Sequence, residues 1–246
     1  MRPSAGIGAL LAAVAAVVMT VSLGNWQLRR AQEKLALQER WKTALQQPPT
    51  PVTSAGVAEI GANLPVRARL SGRFVYEHEL WLDNRQMDGR SGFFLLTPLR
   101  LTNGQVVLIN RGFVQRDPLD RLRLPPVARP AGEVTIDGLA VEQPPRVLRL
   151  GDDAPSQPGR PVIWQNFDFD AFERATGSHA ARWVVQQTGG EDEGLLRHWA
   201  LPDAGVDRHR GYAVQWFALA ALIAVLAAYF GYRALPRRTA PSEEGK

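Results

Sequence analysis

The residues of this chain with the clearest chemical potential lie just before and inside its last apolar stretch. His209 is followed by Tyr212, Ala213, Trp216 and Ala220, at spacings of three and four that place these side chains on one face of a helix. An imidazole is a good axial ligand for haem iron, and flat aromatic rings beside small residues can accommodate a planar macrocycle. The pattern is therefore compatible with a haem site near the start of this helix.

The same residues also have an ordinary interpretation. Tyr and Trp are enriched where a membrane helix meets water, and a histidine beside them can simply be solvated. The residues alone leave both interpretations open, and the interfacial one is the commoner arrangement.

A second group of polar residues follows the first apolar stretch. Trp26, Arg30 and Lys34 are spaced by four, with Gln27 adjacent, so they share one side of a helix. Their cations could pair with haem propionates or with lipid phosphates, and lipid is the default partner for cations at a membrane surface.

Other kinds of chemistry find little support in the chain. It has no cysteine, which excludes disulfides, thiol nucleophiles and thiolate metal sites. Phosphate-loop, HExxH and GxSxG motifs are absent, so we expect no enzyme activity. The net charge of +5 is spread along the chain, which favours lipid head groups over nucleic acid as a partner. The remaining carboxylate pairs and histidines are interpreted as solvated, loop or capping residues: Asp152, Asp153, Asp168, Asp170, His78, His179 and His198.

Two apolar stretches must position these groups, at residues 7–24 and 212–232. Each is long enough to cross a hydrocarbon core of about 30 Å. The alternative for the first stretch is a cleavable signal peptide preceded by Arg2. No small-x-small cleavage site precedes Trp26, however, and the stretch continues into a charged helical pattern.

Positive charges predict the orientation of these two spans. Arg233, Arg237 and Arg238 cluster after the second span, which places both termini in the cytoplasm. Arg29, Arg30 and Lys34 would then lie on the outer side. That cluster opposes the charge rule and needs another reason to be there.

The sequence between the spans predicts short strands. The first helix extends to residue 47 and ends at Pro48. Alternating patterns predict strands at 66–70, 79–83, 93–101, 105–114, 133–141 and 182–188, and Asn103-Gly104 predicts a hairpin. A helix is expected at 167–176, capped by Asp168 and ended by Gly177, and a loop at 144–161.

We therefore predict an α+β membrane protein with four parts. Residues 1–47 are the first transmembrane helix and its extension, and 48–207 are an extracytoplasmic antiparallel β-rich domain, either a sheet or a small barrel, with a few helices. Residues 208–235 are the second transmembrane helix, and 236–246 are a cytoplasmic tail.

Four blocks of residues, ordered from 23 to 217, carry a family resemblance. The blocks are LGNWQLRR with Lys34, then TP at 97–98 with GQVVLINRGFV at 104–114, then Trp164 with Asp168, and last His209 with Tyr212, Ala213, Trp216 and Phe217. Together they resemble the Surfeit locus family of cytochrome c oxidase assembly factors. Phe113 stands where that family usually has Trp, and Gln115 where Pro often follows, while 144–161 fits poorly.

The resemblance implies a bacterial cytoplasmic-membrane protein that helps mature the haem a centres of the oxidase core subunit. The absence of an Arg/Ser-rich transit segment favours a bacterial over a mitochondrial membrane. Haem a would bind transiently, with His209 as axial ligand and Tyr212 and Trp216 as a wall. Trp26 would lie at the same depth, with Arg30 or Lys34 as propionate partners.

Two functions are expected from this resemblance. In the first, the protein takes haem a from a haem a synthase and assists its insertion into the oxidase core subunit. In the alternative, it is a scaffold that stabilises an oxidase assembly intermediate and never holds haem.

Overall fold

Two long apolar helices and one mixed sheet make up most of the protein. The computed structural model describes residues 3–53, 56–120, 123–148, 162–190, 194–202 and 205–234. In chain order the helices are α1 (Pro3–Gln46), α2 (Gly56–Ala62), α3 (Phe169–Thr176) and α4 (Val206–Ala234). The strands are β1 (Thr50–Pro51), β2 (Val66–Phe74), β3 (Leu80–Met87), β4 (Arg90–Leu101), β5 (Val106–Gln115), β6 (Val134–Val141), β7 (Val162–Trp164) and β8 (Ala180–Gln187).

The chain forms two compact units. A helical unit comprises Met1–Gln38 and Pro202–Lys246, and a sheet unit comprises Glu39–Leu201. Helices α1 and α4 are each long and apolar enough to cross a membrane. Only 11% of the most apolar window of either helix is buried within the protein, which is unlike the core helix of a soluble domain.

Small buried residues lie on α1 and α4 near the points where the two helices meet, and we call this set the helix seam. It consists of Thr20, Gly24 and Ala31 on α1, and Ala213 and Ala220 on α4. A small residue leaves room for a side chain of the neighbouring helix. The ring of Phe217 packs so closely on Gly24 that a Cβ there would lie 2.7 Å from a ring carbon.

The sheet has the order β1-β2-β6-β8-β5-β4-β3-β7 among the described residues. β2 also pairs with β4 over Gly72–Phe74, a contact of three residue pairs that does not make a clear barrel. Predicted strands are confirmed from β2 to β6 and at β8, and the hairpin at Asn103-Gly104 joins β4 to β5.

The prediction of an antiparallel β-rich domain is confirmed only in part, because the sheet is mixed. β1–β2, β3–β7 and β5–β8 are parallel pairs. Parallel neighbours need long crossover connections, and residue alternation within a strand does not encode which neighbour it will pair with. The short elements α2, β1 and β7 were not predicted, because each offers too few residues for a recognisable period.

Two apolar clusters cover opposite faces of β5. Leu108 belongs to the cluster that includes Phe172 of α3, whereas Val107 and Ile109 belong to the cluster that includes Ile60 of α2. Successive side chains of a strand point to opposite faces, so β5 is buried on both of them. The predicted α3 is confirmed, with Asp168 accepting from the Ala171 amide at 2.7 Å and Gly177 ending the helix in the left-handed conformation.

Some predictions fall on parts of the chain that the structure does not describe. Residues 144–148 of the predicted loop contain no helix or strand. Residues 149–161, including Asp152 and Asp153, and the tail 236–246 lie outside the described residues.

An ion pair across β2 and β6 predicts a pH dependence of stability. Arg69 donates two hydrogen bonds to Asp137, at 2.6 and 2.7 Å, and these bonds hold the pKa of Asp137 below its ordinary value. A lowered folded-state pKa stabilises the fold above the unfolded pKa of about 4, and that stabilisation is lost as the pH falls through the folded value.

We therefore expect the stability of Asp137→Asn to fall less steeply than that of wild type as the pH is lowered below about 4. The effect should stay below about 1 kcal/mol, because the pair is partly exposed and screened. Thermal unfolding of the full chain in detergent between about pH 2 and 7 measures it. Glu142→Gln, at an exposed carboxylate just after β6, is the control. The same loss of thermal stability at acidic pH in wild type and Asp137→Asn would contradict the role of this ion pair.

Candidate functional site

His209 lies in the first turn of α4 and is half-buried. Its Nδ1 atom is 2.6 Å from Oε1 of Gln27 on α1, well within hydrogen-bond distance. Among the described residues this is the one hydrogen bond of the imidazole, so its Nε2 atom has no protein partner there. The bond joins the two helices of the helical unit at the level of the predicted site.

The helices α1 and α4 are antiparallel. Gly24 meets Phe217, and Gln27, further along α1, meets His209, which is earlier on α4. Rising residue numbers on one helix therefore face falling numbers on the other.

By ideal helical geometry, most of the predicted site residues of both helices fall on the same side of the helix seam, whereas Trp26 faces largely away from α4. Successive residues are turned by about 100° around the helix axis, so the direction of each side chain can be measured from the mean direction of the seam residues. For Lys34, Arg30 and Trp26 this angle is roughly 60°, 100° and 140°, in the sense opposite to the winding of the helix. His209, Trp216 and Tyr212 are rotated by roughly 30°, 50° and 90° in the same sense. In an antiparallel pair, the same rotational sense on both helices corresponds to the same side.

The six predicted residues differ in exposure and contacts. Tyr212 is 52% exposed and Trp26 is 44% exposed, whereas Trp216 and Lys34 are half-buried. Arg30 lies over Trp26, with its guanidinium carbon 6.0 Å from the ring centroid. It also pairs with Glu33 at 2.9 Å. Within the described chain, no hydrogen bond or ion pair links Trp26, Arg30 or Lys34 to His209.

The donor set fits a haem better than a bare metal ion. The described residues contain no group of three or more His, Cys, Asp or Glu side chains that could hold a metal. A haem supplies four equatorial nitrogens itself and takes as little as one axial imidazole from the protein. His209 can provide that nitrogen through Nε2. Arg30 is available to a propionate at small cost, because an exposed ion pair such as Arg30–Glu33 contributes only about 0–1 kcal/mol.

Gln27 is the site residue whose contact the sequence did not indicate. In the sequence it is only a neighbour of Trp26, and its partner is 182 residues away in the chain. No local pattern reports a contact of that range.

The sheet unit contains a separate cavity of about 620 Å³. Among its lining residues are Arg85, Phe94 and Trp199. Arg85 donates to the carbonyl oxygens of Pro145 and Gln165. Burial lowers the pKa of Arg85 to about 10, so its guanidinium remains charged at neutral pH.

Glu79 is a buried carboxylate that contacts two residues of the block at 97–98 and 104–114. Glu79 accepts from Thr97 Oγ1 at 3.0 Å and from Arg129 at 2.9 Å, and it lies 3.7 Å from Arg111. The side chain of Arg111 is 0% exposed and that of Glu79 is 3% exposed. The sequence analysis did not predict this cluster; the sequence feature that could have indicated it is the Asn-Arg pair inside the apolar strand β5. Phe113, at the position that departs from the family pattern, packs in the core against Phe94.

The remaining polar residues have the ordinary roles expected of them. His179 is exposed and lies 3.4 Å from Glu173, and His198 is exposed and lies 2.7 Å from Asp88. Asp170 pairs with Arg182 at 2.6 Å. His78 is half-buried in the short 3-10 turn before β3.

The fold defines a class of protein in which one long apolar helix comes before a mixed α+β unit in the chain and another comes after it. The contact between Gln27 and His209 joins these two helices. The chain belongs to the SURF1 family, whose model matches residues 14–221. This confirms the resemblance that the ordered blocks indicated.

Relatives with a similar sequence occur in bacteria and eukaryotes. A SURF1-like protein of Monosiga brevicollis is 24% identical over 245 residues, covering 88% of this chain and 85% of the relative. An uncharacterized SURF1-like protein of Mycobacterium tuberculosis is 25% identical over 228 residues, covering 88% and 79%. The cytochrome oxidase assembly protein SHY1 of Saccharomyces cerevisiae is 30% identical over 102 residues, which is 41% of this chain and 26% of the yeast protein.

Proposed function

We propose that this protein is a cytochrome c oxidase assembly factor of a bacterial cytoplasmic membrane, which binds haem a and assists its insertion into the oxidase core subunit. Membership of the SURF1 family and the similarity to a yeast oxidase assembly protein support the assembly role. Haem a is the cargo in this proposal, and His209 is its axial ligand.

The observation that carries the haem proposal is the common side of the helix pair. An imidazole, two aromatic rings and two cations from α1 and α4 lie on one side of the seam, by the helical geometry described above. One nitrogen ligand, apolar faces and cations are a combination that suits a planar, apolar macrocycle with two carboxylates. Trp216 and Tyr212 would contact the macrocycle, and Arg30 and Lys34 would bind the propionates.

The proposal also gives the outer charge cluster a reason to exist. Both helices expose large apolar side chains, such as Leu11 at 65% and Val225 at 64%, and a lipid bilayer would cover them. With both termini in the cytoplasm, Arg30 and Lys34 would lie at the outer surface, where positive charge is usually depleted. Binding a dianionic cargo would offset that preference.

Replacing His209 tests the function directly. The full chain and His209→Ala are purified in parallel from cells that make haem a, and haem a absorbance is measured per mole of protein. We expect wild type to carry pigment and His209→Ala to retain less than about a tenth of it, because the axial bond is lost. His198→Ala, at an exposed histidine of the sheet unit, is the matched control and should retain its pigment.

Equal pigment in His209→Ala and wild type would remove His209 from the mechanism. Oxidase subunits that co-purify with a chain free of haem, under haem a-replete conditions, would instead favour the scaffold function.

A further inference from the structure

The bond between Gln27 and His209 has consequences for the chemistry of the imidazole. Oε1 of an amide only accepts hydrogen bonds, so a hydrogen bond in the arrangement seen here, with Oε1 of Gln27 2.6 Å from Nδ1 of His209, has its proton on Nδ1. Nε2 of the neutral ring then keeps its lone pair. In the opposite arrangement the amide nitrogen of Gln27 would donate to Nδ1. The ring proton would then be on Nε2, and Nε2 would have no lone pair to bind a metal.

We propose that Gln27 is a positioning residue that holds His209 as the Nδ1–H tautomer, with Nε2 available to haem iron. This inference rests on the proposed haem function. Gln27 touches neither iron nor macrocycle in this assignment and acts only through His209. A histidine that binds a metal commonly donates its other N–H to a carbonyl or carboxylate, which sets both tautomer and ring orientation.

The place of Gln27 in the helix pair supports this role. Gln27 is half-buried and lies between the seam residues Gly24 and Ala31, so its side chain is directed towards α4. His209 is also half-buried, which limits competition from water for the bond. The packing of Phe217 on Gly24, one turn from Gln27, holds the two helices together at this level.

The chain contains a matched control glutamine on the same helix. Gln38 also reaches the returning chain, where its Nε2 donates to the carbonyl oxygen of Pro202 at 3.1 Å. It therefore makes a comparable long-range contact as a donor, without touching an imidazole. Gln38→Leu removes a contact of similar size and leaves the environment of His209 in place.

The first measurement uses the protein without haem. The ¹⁵N chemical shifts of the imidazoles in histidine-labelled full chain in detergent report the tautomer, and the His209 signals are identified by their loss in His209→Ala. We expect wild type to show Nδ1–H and Gln27→Leu to move towards Nε2–H. Gln27→Glu, which retains an acceptor oxygen, should keep the wild-type tautomer, and Gln38→Leu should not change it.

The second measurement is haem affinity, with iron protoporphyrin IX titrated into the same purified variants. Loss of a residue that orients a metal ligand typically weakens metal binding by about 10–100-fold, and we expect that loss for Gln27→Leu. Gln27→Glu should restore most of the affinity, and Gln38→Leu should bind like wild type. A purely structural role for Gln27 would make Gln38→Leu equally weak and would move no tautomer signal.

The two measurements separate this inference from the proposed function. An Nε2–H tautomer in wild type, or unchanged affinity in Gln27→Leu, would overturn the role of Gln27 even when His209 binds haem. Conversely, haem binding that is unaffected by His209→Ala would overturn the proposed ligation, whereas the tautomer assignment would still be decided by the spectra of the haem-free protein.

Discussion

Glu79→Gln is expected to lower the free energy of unfolding of the sheet unit by about 3–5 kcal/mol. The carboxylate lies 3.7 Å from Arg111, whose side chain is 0% exposed. Removing its charge leaves a buried guanidinium without that counter-charge, which costs far more than the loss of a surface ion pair. The corresponding fall in Tm should be roughly 10 °C for a unit of this size.

The same carboxylate also connects distant parts of the sheet unit. Arg129 donates to it from the segment between β5 and β6, and Thr97 donates to it from β4. Arg111 in turn donates to the carbonyl oxygen of Ala128 at 2.6 Å. Loss of the charge should therefore loosen this segment as well as destabilise the strands beneath it.

Thermal unfolding of the full chain in detergent measures the effect of Glu79→Gln. Glu77→Gln is the control, because Glu77 is exposed in the adjacent 3-10 turn. The double variant with Arg111→Met should recover part of the stability, since removing both charges avoids a buried guanidinium that has lost the charge of Glu79. Equal losses for Glu77→Gln and Glu79→Gln, or strict additivity with Arg111→Met, would contradict the importance of the buried pair.

Gly24→Leu is the second substitution with a large expected effect, and it acts in the helical unit. A Cβ at this position would lie 2.7, 2.8 and 3.0 Å from three ring carbons of Phe217, so the ring or the helices must move. Overpacking of this kind costs about 1–3 kcal/mol. The displacement should also weaken the bond between Gln27 and His209, which lies one turn away.

Two measurements follow this change. SDS titration gives the unfolding free energy of the helix pair, and spin labels at Val18→Cys and Leu222→Cys report the separation of the helices. Both label sites are exposed, and the natural chain has no cysteine to interfere. We expect a longer or broader distance distribution for Gly24→Leu.

The chain supplies both a control and a compensating change for Gly24→Leu. Gly8 is on the same helix, and a Cβ at that position would have no neighbouring atom within 4 Å among the described residues, so Gly8→Leu should leave the helix pair unchanged. Phe217→Ala should restore much of the stability in the Gly24→Leu background, because it removes the obstructing ring. Wild-type stability in Gly24→Leu, or the same penalty in Gly8→Leu, would show that the helices do not pack at this glycine.

Elements with local signals could be predicted from the amino-acid sequence. They are the two apolar helices, six of the strands and the cap of α3 at Asp168. Each is specified by a residue period or by contacts a few residues apart. The family blocks and the candidate residues around His209 were also visible, because side chains on one helix face recur at spacings of three and four.

Contacts between distant segments are seen only in the folded chain. The parallel pairing of β5 with β8, the burial of Glu79 against Arg111 and the bond of Gln27 to His209 join residues far apart in the chain. Contacts of this kind depend on the packing of whole elements, and residue periods specify a buried face without naming the element that covers it. The candidate site is such a case, since its two halves share one side of the helix pair only because α1 and α4 are antiparallel, with Gly24 against Phe217 and Gln27 bonded to His209.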